Sequence, residues 1–83
     1  MYLAKITITL RTSILDPQGK AVHHALESLG MDSARDVRIG KYVELRLDTR
    51  EKRDAERMTE EACKKLLANL VMEDYAFTVE ALP

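Results

Sequence analysis

This chain of 83 residues is short of several features, and each shortage excludes a class of protein. With a single cysteine, Cys63, it can form no internal disulfide, and one cysteine with two histidines falls short of a structural zinc set. No apolar run approaches the roughly 18 residues of a membrane span, and the N-terminus has no cationic segment before an apolar core. We therefore expect neither membrane insertion nor export, and a cytoplasmic location.

The chain also lacks an excess of charge of either sign. Thirteen basic and fourteen acidic side chains give a formal net charge of -1, which supplies no field to attract nucleic acid or an anionic membrane. Charged residues at 33% with apolar residues at 46% are typical of an ordinary globular protein. We expect one domain, residues 1–83.

The small size of the domain predicts association with other chains. A domain of this length buries only about 60 to 65% of the surface of its unfolded chain, so its own core is marginal. Disulfides and metal are poorly supported here, which leaves association. We expect a dimer or a tetramer, formed through open edges of the sheet.

Hydrophobic periodicity predicts an α+β domain, a two-layer sandwich in the order β-α-β(-β)-α-β with an antiparallel sheet and two helices on one face. Alternation predicts a strand at about residues 2–11 and another from Tyr75 to residue 81. Asp16 and Pro17 mark the start of the first helix and Gly30 its end. The second helix is predicted from an Asp48–Glu51 capping pair to about residue 68, with Asn69 as a stop.

The region around Gly40 allows two interpretations. Apolar residues on both sides of it occupy odd positions, and a two-residue hairpin at Gly40-Lys41 would set apolar against polar residues on one face. A three-residue loop with a glycine bulge preserves the parity, and so does one long strand over about residues 35–47, bent at Gly40. We favour the long strand, because the segment lacks a typical Asn-Gly or Asp-Gly turn.

No group of residues predicts a catalytic or metal site. His23 and His24 lie about 100° apart on a helix, so they cannot readily grip one metal ion. Cys63 has no base placed beside it by the sequence and is interpreted as a packed thiol. Asp16 to Lys20 could be tested as a phosphate loop, but it has one glycine and an acidic residue at the anion position, which favours a cap or a partner contact.

Four short stretches carry a family resemblance. They are residues 14–22 (ILDPQGKAV), 37–45 (VRIGKYVEL), 66–69 (LLAN) and 73–75 (EDY). In this order and at these separations, the chain resembles the PurS family, the small subunit of multi-chain phosphoribosylformylglycinamidine (FGAM) synthase. Leu70 stands where the family commonly has proline after Asn69, and Ser13 where it often has glycine, and neither departure threatens the resemblance.

The resemblance implies a non-catalytic subunit that dimerises and joins a synthetase subunit, PurL, to a glutaminase subunit, PurQ. The combined enzyme uses ATP and Mg with glutamine and passes ammonia between active sites, and no cofactor is expected on this chain itself. The alternative is a ligand-sensing regulatory dimer of split βαβ type. The family positions, as interface or structural motif residues, are Asp16, Pro17, Gln18, Gly19, Lys20, Arg38, Gly40, Lys41, Asn69, Glu73, Asp74 and Tyr75.

Overall fold

A computed structural model describes residues 1–83 as three strands and two helices. The strands are β1 (Tyr2–Leu10), β2 (Gly40–Leu47) and β3 (Glu73–Ala81), and the helices are α1 (Pro17–Ser28) and α2 (Lys52–Ala62), the latter continued by a π-helix over Cys63–Leu67. The sheet is antiparallel in the order β2-β1-β3. The predicted α+β class and antiparallel sheet are confirmed. None of the helices combines the length and apolarity that a membrane crossing needs.

The central strand β1 supplies the middle of the core. Its even-numbered residues point to the face that α2 covers, which we call the inner face, and Ala4, Ile6 and Ile8 are almost completely buried there. Ala4 and Ile6 pair across the sheet with apolar residues of both β2 and β3, whereas Ile8 pairs with Lys41 and Tyr75. Ala55, Thr59 and Cys63 close the core from α2 and the π-helix. The outer face is mostly polar, apart from the buried Leu3, and carries a Lys5–Glu80 ion pair at 3.0 Å.

The ends of α1 follow the local rules, whereas the start of α2 does not. Asp16 is the N-cap of α1, and Gly30 takes a positive φ of 86° just beyond the C-cap, as predicted. The predicted Asp48–Glu51 capping box is wrong. Glu51 is itself the N-cap residue and caps no backbone N–H, because its carboxylate pairs with the Arg53 guanidinium at 3.1 Å.

The segment before Gly40 is neither a long strand nor half of a hairpin. Residues 35–39 form no strand, and β2 begins at Gly40 itself. The physical reason is that Ile39 donates its backbone N–H to the Asp16 carboxylate at 2.8 Å, so this group is used away from the sheet. The apolar residues at odd positions therefore lie partly in this irregular segment and partly in β2.

Helix α1 is placed differently from the prediction of two helices on one face. Only α2 packs extensively on the sheet, and the apolar stripe of α1 is open, with Val22 40% and Leu29 73% exposed. The molecule measures 50 × 30 × 14 Å. A nine-residue strand of about 30 Å followed by a 12-residue helix of about 18 Å accounts for the long dimension only if α1 projects beyond the end of the sheet.

Candidate interaction site at the end of the sheet

Asp16 joins the head of α1 to the segment that precedes β2. One carboxylate oxygen accepts the N–H of Gly19 at 2.9 Å, and the other accepts the N–H of Ile39 at 2.8 Å. The Gly19 bond, followed by the Ile39 bond and the nearby Arg38 charge, lowers the pKa of the Asp16 carboxyl from its ordinary value. This side chain is 5% exposed and fully engaged, so it serves as a structural latch and not as a free acid or base.

Arg38 makes a second connection between the same parts of the chain. Its guanidinium donates to the carbonyl oxygens of Leu10 at 3.0 Å, Arg11 at 2.8 Å and Ile14 at 3.5 Å, all at or after the end of β1. These acceptors are uncharged backbone groups, and the Arg11 carbonyl oxygen also accepts the N–H of Ile14 at 2.9 Å. No sequence signal points to this role, because the acceptors are backbone groups that any residue type supplies.

Glu73 and Asn69 organise the other side of the same sheet end. The Glu73 carboxylate accepts the N–H of Asn69 at 2.8 Å, and its second oxygen lies 3.5 Å from the ammonium group of Lys41. The Asn69 side chain accepts the N–H of Val71 at 3.1 Å, which closes the turn into β3. The Lys41–Glu73 pair thus spans from β2 to β3 across the end of β1.

Asp16 from the first of these groups, with Lys41 and Glu73 from the second, lines one cleft of about 240 Å³ at this end of the inner face. An adjoining cleft of about 420 Å³ lies between the head of α1 and the segment before β2, and Lys20, His23, Asp36 and Arg38 are among its lining residues. The fold therefore brings together family positions that are far apart in the sequence. Those in the smaller cleft are Asp16, Gln18, Gly40, Lys41 and Glu73.

Other family positions lie away from these clefts. Asp74 pairs with Arg11 at 3.5 Å, and its register opposite Thr9 places it on the outer face. Tyr75 lies on the inner face, with its ring stacked on that of Phe77 at 6.5 Å between centroids. Burial, with a smaller effect of the Glu60 carboxylate, raises the pKa of the Tyr75 phenol. Pro17 occupies the first position of α1 and is exposed.

His23 and Cys63, which the sequence offers as catalytic candidates, both make contacts that stabilise the fold. The His23 ring Nε2 lies 2.7 Å from the carbonyl oxygen of Ala34, which ties α1 to the loop after it. Cys63 is completely buried, and burial raises the pKa of its thiol, which opposes formation of the reactive thiolate. No group of three or more histidine, cysteine, aspartate or glutamate side chains is arranged to hold a metal ion.

Replacement of Cys63 by alanine is expected to affect stability and not activity. The change removes one buried sulfur atom from the core and should lower the free energy of unfolding by about 1 to 2 kcal/mol, as a small core truncation does. Urea denaturation measures this loss, and a synthase assay with partner subunits measures the activity, which should stay within a few fold of the parent. The activity of His23→Ala should likewise stay within a few fold of the parent. A loss of about 10³ in activity with intact assembly would make either residue a catalytic candidate.

The latch at Asp16 predicts a specific acid sensitivity. Its folded pKa lies below the unfolded value of about 3.9, so its stabilisation is complete above that pH and is lost as the pH falls through the folded value. Unfolding free energies measured between neutral pH and the acid limit should therefore depend less steeply on pH below about 4 in Asp16→Asn than in the parent. Asp32→Asn, which removes an exposed carboxylate, is the control. Equal slopes for both variants would contradict the latch.

The fold defines a class of small α+β proteins in which helix α1 lies between the first two strands of an antiparallel sheet in the sequence. The chain belongs to the PurS family, because the profile of that family, described as phosphoribosylformylglycinamidine (FGAM) synthase, matches residues 3–81. The resemblance inferred from the four stretches is confirmed. PurS proteins are subunits of FGAM synthase, an enzyme of purine biosynthesis.

Individual relatives agree with this assignment. The phosphoribosylformylglycinamidine synthase subunit PurS of Bacillus subtilis is 50% identical over 80 residues, which cover 96% of this chain and 94% of that protein. The PurS crystal structure of B. subtilis, 49% identical, has a TM-score of 0.86 and covers 98% of this chain and 100% of its own. The PurS structure of Methanocaldococcus jannaschii, 34% identical, has a TM-score of 0.90 with full coverage of both chains. A chain of the PurLQS structure of Thermotoga maritima, 23% identical, shares the fold with a TM-score of 0.85.

Proposed function

We propose that this chain is a non-catalytic subunit of a multi-chain FGAM synthase. It joins the synthetase subunit PurL to the glutaminase subunit PurQ and supports the transfer of ammonia between their active sites. The observation that carries this proposal is the family match over residues 3–81, with relatives that are themselves subunits of the synthase. The M. jannaschii relative is described as one of the subunits of formylglycinamide ribonucleotide amidotransferase in the purine biosynthetic pathway.

The geometry of the chain is compatible with a subunit that binds partners and carries out no chemistry of its own. The polar groups of the family motif are used within the fold, since Asp16 and Arg38 bond to the backbone and Lys41 pairs with Glu73. In the proposed complex the larger subunits hold ATP and Mg and convert formylglycinamide ribonucleotide and glutamine to the amidine product. This subunit holds no cofactor and acts in the cytoplasm. It also associates with itself, as a dimer or tetramer, since β2 and β3 leave both sheet edges unpaired.

Reconstitution tests the proposal. The purified chain alone should show neither glutaminase nor amidine-forming activity, whereas its addition to the cognate PurL and PurQ subunits should restore turnover that depends on glutamine. Ammonia-dependent turnover by PurL alone is the matched control, because it bypasses any transfer between sites. If PurL and PurQ assemble and use glutamine equally well without this chain, the joining role is wrong. Calorimetric binding of glutamine or a nucleotide by the isolated chain would favour the regulatory alternative.

A further inference from the structure

The turn that leads into β3 displays apolar side chains to solvent. In residues 66–72, which we call the apolar turn, Leu66 is 81% exposed and Val71 is 80% exposed. No other large apolar side chain of the chain is as exposed as these two. Leu70 and Met72 are exposed as well. The core of the chain therefore leaves most of the apolar side chains of this turn without a partner.

The π-helix is what turns Leu66 outward. Leu66 follows the buried Thr59 by seven residues, about two turns of an α-helix, and would return to the buried face if α2 continued unchanged. The wider π turn over Cys63–Leu67 rotates Leu66 away from the core and sets Leu67 against it instead. Single π turns are frequent at functional sites, and Leu66 begins one of the four stretches that carry the family resemblance. The exposure of Leu66 is thus built into the backbone.

Hydrogen bonds hold the apolar turn in one conformation. The N–H groups of Met72 and Glu73 both donate to the carbonyl oxygen of Asn69, at 3.0 and 2.7 Å, in addition to the side-chain bonds of Asn69 and Glu73. Just after β1, the Arg11 N–H donates to the Met72 carbonyl oxygen at 2.8 Å, and the Arg11 guanidinium donates to the carbonyl oxygen of Leu70. A turn fixed in this way loses little conformational entropy when a partner binds it. The family positions Asn69 and Glu73 therefore present the turn to solvent in a preorganised form.

The surroundings of the apolar turn carry no excess charge. Every charged residue from Glu60 to Asp74 is in an ion pair within the chain. The pairs are Lys64–Glu60, Lys65–Glu61, Lys41–Glu73 and Arg11–Asp74. An anionic membrane or a nucleic acid would be attracted by unpaired basic residues, and this segment has none. The turn therefore suits an uncharged, apolar surface of another protein.

A second copy of this chain does not offer such a surface in concave form. None of the clefts on the chain is lined mainly by apolar residues, and the two at the end of the sheet are lined largely by polar and charged ones. A protruding turn with two apolar side chains needs an apolar pocket to exclude water from both of them. The pocket must therefore belong to a different subunit.

We propose that the apolar turn seats Leu66 and Val71 in an uncharged apolar pocket on the synthetase subunit PurL. The inference rests on the proposed function, which supplies PurL as a partner, and it assigns the part of this chain that binds PurL. PurL is the subunit on which the complex is built, because it needs no glutaminase when ammonia is supplied. Two apolar side chains surrounded by paired charges give the apolar centre and polar rim of a typical protein interface.

Charge introduced into the apolar turn tests this contact. Leu66→Asp and Val71→Asp, each in the full chain, should raise the Kd for purified PurL, alone or with PurQ present, about tenfold or more, because an unpaired carboxylate is then buried in the pocket. Sedimentation and the midpoint of urea denaturation should stay as in the parent, since both side chains are exposed in the chain itself. Met31→Asp is the matched control, because Met31 is exposed but lies beyond α1, and it should bind PurL as the parent does.

Titration of the parent chain into PurL, PurQ and their mixture separates the ways in which the inference could fail. A parent chain that binds in none of these titrations contradicts the proposed function and the inference with it. If the parent binds PurL and both aspartate variants bind it equally well, the apolar turn is not the contact, and the joining function stands. Loss of self-association, or loss of binding to PurQ alone, would show that a second copy or the glutaminase covers the turn, and would overturn the assignment to PurL.

Discussion

Replacement of Gly19 by alanine should destabilise the protein although it removes a glycine from a helix. In an open helix this change would stabilise by about 1 kcal/mol. Here an alanine Cβ would lie 2.3 Å from the carbonyl oxygen of Val37 and 2.7 Å from an oxygen of Asp16. The Val37 oxygen belongs to the backbone and cannot rotate away, so the segment before β2 must move, and overpacking of this kind costs about 1 to 3 kcal/mol. Because the clash is with backbone at so short a distance, we expect a cost at the upper end of this range, which leaves a net loss of about 2 kcal/mol in the free energy of unfolding after the gain in helix propensity.

Urea denaturation of Gly19→Ala beside Gln18→Ala measures this effect. Gln18 occupies the preceding position of α1 and is exposed, so its replacement should change the free energy of unfolding by no more than about 0.5 kcal/mol. Because the displaced segment also carries Ile39, the Gly19 variant should lose the steep acid response that Asp16 provides. A Gly19→Ala protein as stable as the parent would show that the head of α1 is not held against Val37.

The features that follow from neighbouring residues could be predicted from the sequence. Asp16 and Pro17 specify the start of α1 because a carboxylate accepts a free N–H of the first turn and proline loses no bond there. Gly30 ends the helix because it takes a left-handed backbone angle at little cost. The alternation in β1 identified its buried face for the same reason, since strand side chains alternate between faces whatever lies above them.

The features that depend on distant residues could not be predicted in this way. Odd-position parity from Val37 to residue 47 favours a continuous strand over a bulged loop, but the Ile39 N–H is donated to Asp16, 23 residues earlier. The position of α1 was missed for a related reason. An apolar stripe indicates that a helix face is buried in something, and it does not say whether the cover is the same chain or another.

Short sequence motifs identify the family, whereas the geometry of the site depends on how the strands pair. Four short stretches identified PurS positions, but spacing along the chain cannot show that Lys41 reaches Glu73, because that contact depends on the register of β2 and β3 on either side of β1. Arg38 was identified as a family position with no role. Its bonds to three carbonyl oxygens, all from one guanidinium nitrogen, show that it has a structural role at that place.

Replacement of Gly40 by valine should have the other large effect, for a reason different from a bend in a long strand. Gly40 is the first residue of β2 and pairs with Thr9 near the end of β1. A Cβ at this position would lie 2.4 Å from the carbonyl oxygen of Ile8 and 2.8 Å from the Thr9 methyl group. The methyl group can rotate away, whereas the Ile8 carbonyl belongs to the central strand and cannot.

The start of β2 must therefore separate from β1 in Gly40→Val, and Ile39 moves with it away from Asp16. We expect the free energy of unfolding to fall by about 2 to 3 kcal/mol in urea denaturation, with a shift toward monomer or aggregate in sedimentation and weaker binding to PurL. Tyr42→Val is the matched control, because Tyr42 lies on the same strand and the same outer face and is 57% exposed. Gly40→Ala separates the effect of the Cβ from that of the branched side chain and should retain most of the loss. If Gly40→Val and Tyr42→Val are equally stable and equally associated, the glycine is a permissive position, and the close approach of β2 to Ile8 does not govern assembly.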